Sequence, residues 1–252
     1  MASAYLLVSH GSRDPRPEIA IQHIANLLWN KIQSDFPTIT TAGFASQLKS
    51  KTLLGTACLE LSPTPLHEQI IKFSKDALDF GCNNLKILPL FLLPGVHVME
   101  DIPAEVALAS QALDQKIKID LQPYLGSHPG LGHLLAKQLV ATKAEATILL
   151  SHGSRRPKAN TSVEAIATEI KAVLAYLTMP PSLEARVQEL RTAGYRSLAI
   201  IPYFLFAGGM TDAVNQRQQE LKLQFPEMNF QLAEPLGATT ELVELIWDLL
   251  KK

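Results

Sequence analysis

Short apolar runs alternate with longer amphipathic stretches along the first half of the chain. The apolar runs predict strands at residues 4–9, 54–61, 85–92 and 117–121, and the amphipathic stretches predict helices at residues 16–33, 65–80, 102–113 and 130–141. This alternation is typical of βαβ units around a parallel sheet. Unbroken apolar runs such as ILPLFLL also suit strands that are covered on both faces. The pattern therefore predicts an α/β fold.

An internal repeat extends this prediction to the second half. The matching segments are YLLVSHGSRDPRP (5–17) with TILLSHGSRRPKA (147–159), LKILPLFLLPG (85–95) with LAIIPYFLFAG (198–208), and QPYLG ending at Gly126 with AEPLG ending at Gly237. The offset falls from 142 at His10 and His152 to 113 at Pro89 and Pro202, so the second copy lacks 29 residues, mostly opposite residues 38–56. The repeat predicts two domains, residues 1–143 and 144–252.

Composition limits the partners and the compartment. The chain has 252 residues, of which 47% are hydrophobic, which is enough for a full core and excludes a disordered protein. Lysine and arginine (23) nearly balance aspartate and glutamate (24), so bulk charge gives no reason to expect nucleic acid or a membrane surface as a partner. Two cysteines, and an opening apolar run that breaks at Ser9, predict a cytoplasmic protein without disulfides, signal peptide or spanning helix. We expect a monomer.

Three side chains with metal-binding chemistry follow predicted strands. His10 follows the first strand, Glu60 lies at the end of the second, and His97 lies in the loop after the third. Ligand sites in open parallel sheets lie beyond the carboxyl ends of the strands, and a 2-1-3 strand order would make these three loops neighbours. Two imidazoles and a carboxylate suit divalent iron, cobalt, nickel or zinc better than calcium or magnesium, which prefer oxygen alone. The sequence thus predicts an open three-ligand site for a transition metal.

The second copy keeps one of these three residues. Alignment of ACLELSPTP with AYLTMPP puts Thr178 opposite Glu60, and alignment of LLPGVH with LFAGGM puts Met210 opposite His97. We therefore expect one metal centre, in the first half, and a structural role for His152.

SHGSR occurs in both copies, which predicts a tight turn at Gly11 and Gly153 that leads into a helix. The other histidines have simpler interpretations. His128 and His133 follow the fourth strand and are expected in a loop and a helix start, and His23 and His67 lie on predicted helix faces, where solvent or packing positions are expected.

Cations follow the first strand of each half. Arg13 and Arg16 belong to the first half, and Arg155, Arg156 and Lys158 occupy the corresponding segment of the second. If the halves face each other across a cleft, these residues would line it from both sides and favour a polyanionic substrate. The alternative is that they cap turns or pair with neighbouring carboxylates.

Three motifs, SHGSR, LEL with a proline-containing loop, and LPLFLLPGVHVMEDIP, resemble those of the class II tetrapyrrole chelatases, the sirohydrochlorin chelatases SirB and CbiX. The resemblance spans essentially the whole chain, because long members of that family show the same repeat. It implies two tandem flavodoxin-like, chelatase-type parallel-sheet halves with a cleft between them. It also implies that the enzyme, a lyase, inserts Fe2+ into sirohydrochlorin to form siroheme, without an organic cofactor.

The resemblance also assigns roles to residues. It implies that His10, Glu60 and His97 bind the metal and accept the pyrrole protons, and that the cations bind the carboxylates of the tetrapyrrole. The sequence departs from the family at LSPTPLHE, a loop that is one residue longer than usual after Glu60. Glu68, on the next helix, is therefore an alternative carboxylate ligand.

Three other functions remain open from the sequence. Co2+ insertion for cobalamin synthesis uses a ligand set that cannot be distinguished from that for Fe2+, and Ni2+ is a further possible metal. A histidine phosphatase shares HGxR, but Ser9 stands where its signature has an arginine that holds the phosphoryl group, which argues against this class. A metal or tetrapyrrole carrier could use the same residues without turnover.

Overall fold

The computed structural model describes residues 3–35, 52–140 and 143–251, so most of the segment that the second copy lacks is outside the described residues. Within these ranges strands and helices alternate in the order β1 (Ser3–Ser9), α1 (Pro15–Asp35), β2 (Thr52–Cys58), α2 (Leu66–Asp79), β3 (Asn84–Pro89), α3 (Ile102–Ala112), β4 (Lys118–Leu121), α4 (Gly130–Val140), β5 (Ala146–Ser151), α5 (Thr161–Glu169), β6 (Val173–Tyr176), α6 (Leu183–Thr192), β7 (Ser197–Pro202), α7 (Gly209–Gln224), β8 (Asn229–Leu232) and α8 (Thr240–Leu250). A π-helical turn, His97–Asp101, precedes α3, and a 3-10 turn, Leu125–Ser127, precedes α4. None of the helices in these ranges combines the length and the apolar character needed to span a membrane.

The strands form two parallel four-stranded sheets with the same order. The first is β2-β1-β3-β4 and the second is β6-β5-β7-β8. Strands β1 and β5 occupy equivalent central positions, and their residues are buried from Ala4 and from Ile148 onward. The predicted α/β class, the two tandem halves and the 2-1-3 order are confirmed.

Apolar residues at helical spacing place α1 against the first sheet. Ile21, Ile24, Leu28 and Ile32 are three or four positions apart and are fully or almost fully buried. Burying each such side chain stabilises the fold by about 1.5–3 kcal/mol. Packing of this kind holds the strands in register, so the loops at their carboxyl ends have fixed positions.

Three predicted boundaries near these loops differ from the structure. Strand β3 ends at Pro89 rather than at residue 92. Strand β2 ends at Cys58 rather than at residue 61, and Leu61 has a left-handed φ of 59°, which ends the extended backbone. Glu60 therefore lies beyond the strand. Helical backbone begins at Val96 rather than at residue 102, because the π turn follows Val96 and continues directly into α3. Pro103 does lie in the first turn of the α-helical segment, as predicted.

The structure divides into two compact units, and their boundaries differ from the predicted division between residues 143 and 144. Unit 1 comprises the described residues of Met1–Phe91, Val96–Leu125 and Val243–Lys252, and unit 2 those of Leu92–Gly95 and Gly126–Leu242. The repeat boundary is therefore not the packing boundary. Helix α4 comes directly after the first sheet in the sequence but belongs to unit 2. Helix α8 comes after the second sheet in the sequence, but most of its residues belong to unit 1.

Helix α8 completes unit 1 through both apolar and polar contacts. Trp247 is 1% exposed, and its ring meets that of Tyr5 edge-on with 5.6 Å between centroids. Its indole N–H donates to Asp35 at 2.6 Å, and Lys86 donates to the Leu250 carbonyl at 2.7 Å. These contacts explain why the helix lies with β1 and β3, far from its neighbours in the sequence.

Candidate metal centre

His10, Glu60 and His97 converge within unit 1 at the carboxyl ends of β1, β2 and β3. One ligand atom from each lies within 4.8 Å of the other two, and no other such group of histidine, cysteine and acidic side chains occurs among the described residues. Glu60 is central, with Oε2 3.9 Å from His10 Nε2 and Oε1 3.9 Å from His97 Nε2. The two imidazole rings are nearly perpendicular, at 83°, with 4.8 Å between centroids. The predicted convergence of these three side chains is confirmed.

This spacing is suitable for a shared transition-metal ion. Donors that bind one ion at about 2.0–2.2 Å lie at most about 4.4 Å apart. The two 3.9 Å separations around Glu60 satisfy that limit. The side chains are 50% (His10), 48% (Glu60) and 34% (His97) exposed, so the group faces solvent and leaves coordination positions open. An open site can exchange a metal ion with a second set of ligands.

Backbone pairing beyond the strands fixes Glu60 beside His10. The Glu60 N–H donates to the His10 carbonyl at 2.9 Å, one step past the Leu59 N–H to Ser9 carbonyl bond. Gly11 has a φ of +96°, and a Cβ atom at this position would lie 2.1 Å from the Glu60 carbonyl oxygen. A glycine is therefore required here both for the left-handed backbone and for the approach of Glu60. The predicted turn is confirmed at Gly11 and at Gly153, where φ is +83°.

Gly11→Ala should displace Glu60 and weaken metal binding. The left-handed backbone alone costs about 1 kcal/mol or more with a Cβ atom, and the contact with the Glu60 carbonyl forces the two loops apart. Gly153→Ala is the matched control, because it also places a Cβ atom on a left-handed backbone but lies in the copy without the three ligands. We expect both variants to melt at lower temperature and only Gly11→Ala to lose affinity in a Co2+ titration. Equal Co2+ affinity in the two variants would contradict this role of Gly11.

His97 has a carboxylate partner that the sequence analysis did not identify. Its Nδ1 atom lies 2.7 Å from Asp101 Oδ2 at the other end of the π turn. The i,i+4 spacing in HVMED is the signal that could have indicated this pair. Phe91 lies beside both imidazoles, with centroid distances of 6.2 Å to His10 and 6.3 Å to His97. An aromatic ring thus borders the candidate metal-binding group.

The other candidate ligands lie outside this group. Glu68, the alternative carboxylate, is exposed in the first turn of α2. His67 pairs with Glu105 at 2.9 Å rather than with a metal-binding cluster. His23 and His133 are exposed on α1 and α4, and His128 Nδ1 accepts the Gly130 N–H at 3.0 Å just before α4. The placements of His23, His128 and His133 agree with the interpretations given for them, whereas the pairing of His67 with Glu105 was not predicted.

The second copy preserves the backbone of the site but lacks two of the three candidate ligands. The Thr178 N–H donates to the His152 carbonyl at 3.2 Å, which is the bond that Glu60 makes to His10 in the first copy. Thr178 Oγ1 also donates to that carbonyl, at 2.8 Å. Met210 lies at the start of α7, where a thioether replaces the imidazole. The predicted equivalence of Thr178 with Glu60 is confirmed.

The cations of the first half differ in their surroundings. The Arg16 guanidinium pairs with Asp14, and its hydrogen bonds lower the pKa of Asp14 to about 2. Arg13 is exposed and makes none of the ion pairs found within the described ranges. Arg16 therefore has the neighbouring-carboxylate role considered above, and Arg13 has an exposed side chain.

The cations of the second half lie in unit 2, in the segment between β5 and α5. Arg155 and Lys158 are exposed, and Arg156 is partly buried. The backbone N–H of Arg156 donates to Ser154 Oγ at 3.2 Å. Lys158 has a left-handed φ of 64°.

Comparison with known proteins identifies the class to which this chain belongs. The CbiX family profile matches residues 4–142 and again residues 146–252, so both copies and nearly the whole chain are covered. The chain belongs to the CbiX family. It is a class II chelatase of the SirB and CbiX type.

Individual relatives are distant. A sirohydrochlorin cobaltochelatase of Priestia megaterium is 24% identical over 96% of this chain and 76% of its own length. A sirohydrochlorin ferrochelatase of the same organism is 21% identical over 67% of this chain and 67% of its own length. The solved structure of SirB from Bacillus subtilis with Fe3+ has a TM-score of 0.76 at 21% identity, covering 100% of this chain and 95% of that chain. This structural likeness establishes the fold.

Proposed function

We propose that the protein is a sirohydrochlorin ferrochelatase, which inserts Fe2+ into sirohydrochlorin to form siroheme. The observation that carries the proposal is the convergence of His10, Glu60 and His97 on one exposed point of unit 1. Membership of the CbiX family and the similarity to a named ferrochelatase support the substrate and the reaction. Solved structural neighbours are described with Fe3+ and with cobalt, which supports a transition metal as the second substrate and does not choose between the two metals.

In this mechanism the three side chains hold the metal ion before it enters the macrocycle. The two Nε2 atoms and the Glu60 carboxylate supply nitrogen and oxygen donors of intermediate softness, which suit Fe2+. Three protein donors leave coordination positions that pyrrole nitrogens can take over one at a time. The ion therefore changes ligands without being released to water.

Proton transfer accompanies this exchange. One divalent metal ion enters the macrocycle as two pyrrolic protons leave it. The two positive charges that the ion brings therefore replace the two that the protons carry away. Each protein ligand becomes a free base as it gives up the metal, and imidazoles near neutral pH are suited to accepting a proton. His10, His97 and Glu60 thus take the pyrrole protons in the step in which they lose the ion.

The cations are proposed to bind the carboxylates of the substrate. Arg13 is exposed three residues after His10, so it can pair with a carboxylate of a macrocycle whose centre lies at the metal-binding group. Arg16 shares its charge with Asp14 and contributes less. Arg155, Arg156 and Lys158 are proposed as anion-binding residues of unit 2.

Co2+ insertion is the second candidate function. The relative that covers 96% of this chain is named a cobaltochelatase, and Fe2+ and Co2+ are neighbours in the affinity series for one ligand set. Residue chemistry at the trio does not separate the two metals. The choice between them is therefore an outcome of the test below.

The test is anaerobic incubation of purified protein with sirohydrochlorin and either Fe2+ or Co2+, followed by the absorption change on metal insertion. We expect both metals to be inserted above the spontaneous rate, with a higher kcat/KM for Fe2+. A higher value for Co2+ would favour the cobaltochelatase. Binding of sirohydrochlorin without acceleration of either reaction would overturn both proposals and indicate a carrier.

A further inference from the structure

His97 and Asp101 lie at the two ends of the π turn that precedes α3. The Ile102 N–H donates to the His97 carbonyl, so the turn closes over five residues rather than the four of an α-helix. His97 Nδ1 lies 2.7 Å from Asp101 Oδ2 across this turn. Such single π turns are rare and occur frequently at functional sites.

The internal repeat shows that this π turn takes up one inserted residue. Equivalent residues of β3 and β7 differ by 113 positions, as do Pro89 and Pro202. The buried residues of the following helices differ by 112, in the pairs Ile102 and Val214, Ala109 and Leu221, and Leu113 and Phe225. Helix α7 starts at Gly209 and is α-helical throughout. The first copy thus has one more residue before α3, and the π turn accommodates it without changing which side chains of α3 face the core.

The second copy also lacks both members of the pair. At offsets of 113 and 112, the residues opposite His97 are Met210 and Gly209, and those opposite Asp101 are Val214 and Ala213. Neither alignment gives an imidazole or a carboxylate. The π turn, the imidazole and the carboxylate therefore occur together, in the copy that has the metal-binding group, and are absent together from the other.

The hydrogen bond determines which nitrogen of His97 can bind a metal. A neutral imidazole has one N–H and one lone pair, and an N–H at Nδ1 that donates to a carboxylate leaves the lone pair at Nε2. Nε2 is the atom that lies 3.9 Å from Glu60 Oε1. The Nδ1 of His10 has a different environment, 3.2 Å from the carbonyl of the adjacent Gly11.

We propose that Asp101 is a positioning residue for His97. Its carboxylate, held by the π turn, fixes the tautomer and the ring orientation that direct the Nε2 lone pair toward Glu60 and His10. The inference rests on the proposed function, in which these three side chains bind the metal ion. It adds that the inserted residue and Asp101 prepare the site before the metal arrives.

The test is a titration of the full chain with Co2+ alone, without tetrapyrrole, followed by the visible absorption of the bound ion. Asp101→Ala is expected to raise the Kd for Co2+ about 10- to 100-fold, the usual effect of losing a carboxylate partner of a metal-binding histidine. Asp101→Asn is expected to recover part of this loss, because its amide oxygen still accepts the Nδ1 hydrogen bond but more weakly than a carboxylate. Asp79→Asn, an exposed carboxylate at the last residue of α2, is the matched control and should bind Co2+ like the unmodified protein.

The possible outcomes separate this inference from the proposed function. Wild-type Co2+ affinity and absorption in Asp101→Ala would overturn the positioning role and leave the proposed function intact. No binding of Co2+ by the unmodified protein would overturn the proposed function itself. If Asp101→Ala does not fold, Asp101→Asn decides: weaker binding supports the role, and an unchanged Kd with an unchanged spectrum overturns it.

Discussion

His10→Ala and His97→Ala should each reduce the rate of metal insertion by more than about 100-fold. Loss of a residue that only supports a metal-binding histidine costs about 10- to 100-fold, and removal of the histidine itself costs more. Each change leaves Glu60 with a single imidazole neighbour, because its two carboxylate oxygens face the two rings separately. The measurement is the rate of Fe2+ and Co2+ incorporation into sirohydrochlorin under anaerobic conditions.

His152→Ala is the matched control for this prediction. His152 follows β5 as His10 follows β1, and its carbonyl accepts the equivalent backbone hydrogen bond, but Thr178 and Met210 replace the other two ligands. We expect His152→Ala to fold and to retain most of the activity, and the melting temperatures of all three variants to stay close to that of the unmodified protein. An equal loss of activity in His152→Ala would contradict a single metal centre in the first copy.

Trp247→Ala should destabilise unit 1 by about 3–5 kcal/mol, the usual cost of removing a fully buried tryptophan. The side chain is 1% exposed, it packs edge-on against Tyr5, and its N–H is donated to Asp35. Its loss therefore leaves a cavity and removes a polar partner at the same place. Urea denaturation measures the effect. The chain has two tryptophans, Trp29 and Trp247, both in unit 1, so in this variant Trp29 fluorescence reports the unfolding of unit 1 alone.

Leu223→Ala is the control for this prediction. Leu223 is 84% exposed on α7 in unit 2, and substitutions at such positions change stability by less than about 0.5 kcal/mol. An unchanged urea midpoint for Trp247→Ala would show that α8 does not stabilise the sheet that carries the metal-binding group. That result would contradict the assignment of this helix to unit 1.

Much of the fold and the ligand group could be predicted from the sequence because both depend on local patterns. Alternation of apolar runs and amphipathic stretches indicates βαβ units, and residues directly after parallel strands meet at one edge of the sheet. This reasoning brings His10, Glu60 and His97 together although they are far apart in the chain. The repeat then identifies which copy lacks two of the three candidate ligands.

Other features depend on packing that no local pattern specifies. An amphipathic helix shows that one of its faces is buried but not which sheet buries it, so the position of α8 in unit 1 could not be predicted. The π turn also has no local signal in the sequence. It is recognised because the offset between the two copies changes between Pro89 and Ile102, and that change is visible only once the buried residues of α3 and α7 are known. Asp101 was missed because residues 97–101 were predicted as a loop, where the i,i+4 spacing in HVMED does not indicate a side-chain pair.

The placement of α8 has a consequence for the order in which the molecule matures during synthesis. Domains generally fold as they emerge from the ribosome, starting from the N-terminal side. The sheet that carries His10, Glu60 and His97 is encoded by the first half of the chain, yet it needs Trp247 and Leu250 to close its core. A nascent chain must therefore expose the apolar surface beside Tyr5 until residues 243–250 have left the exit tunnel, so the sheet that carries His10, Glu60 and His97 is completed only then.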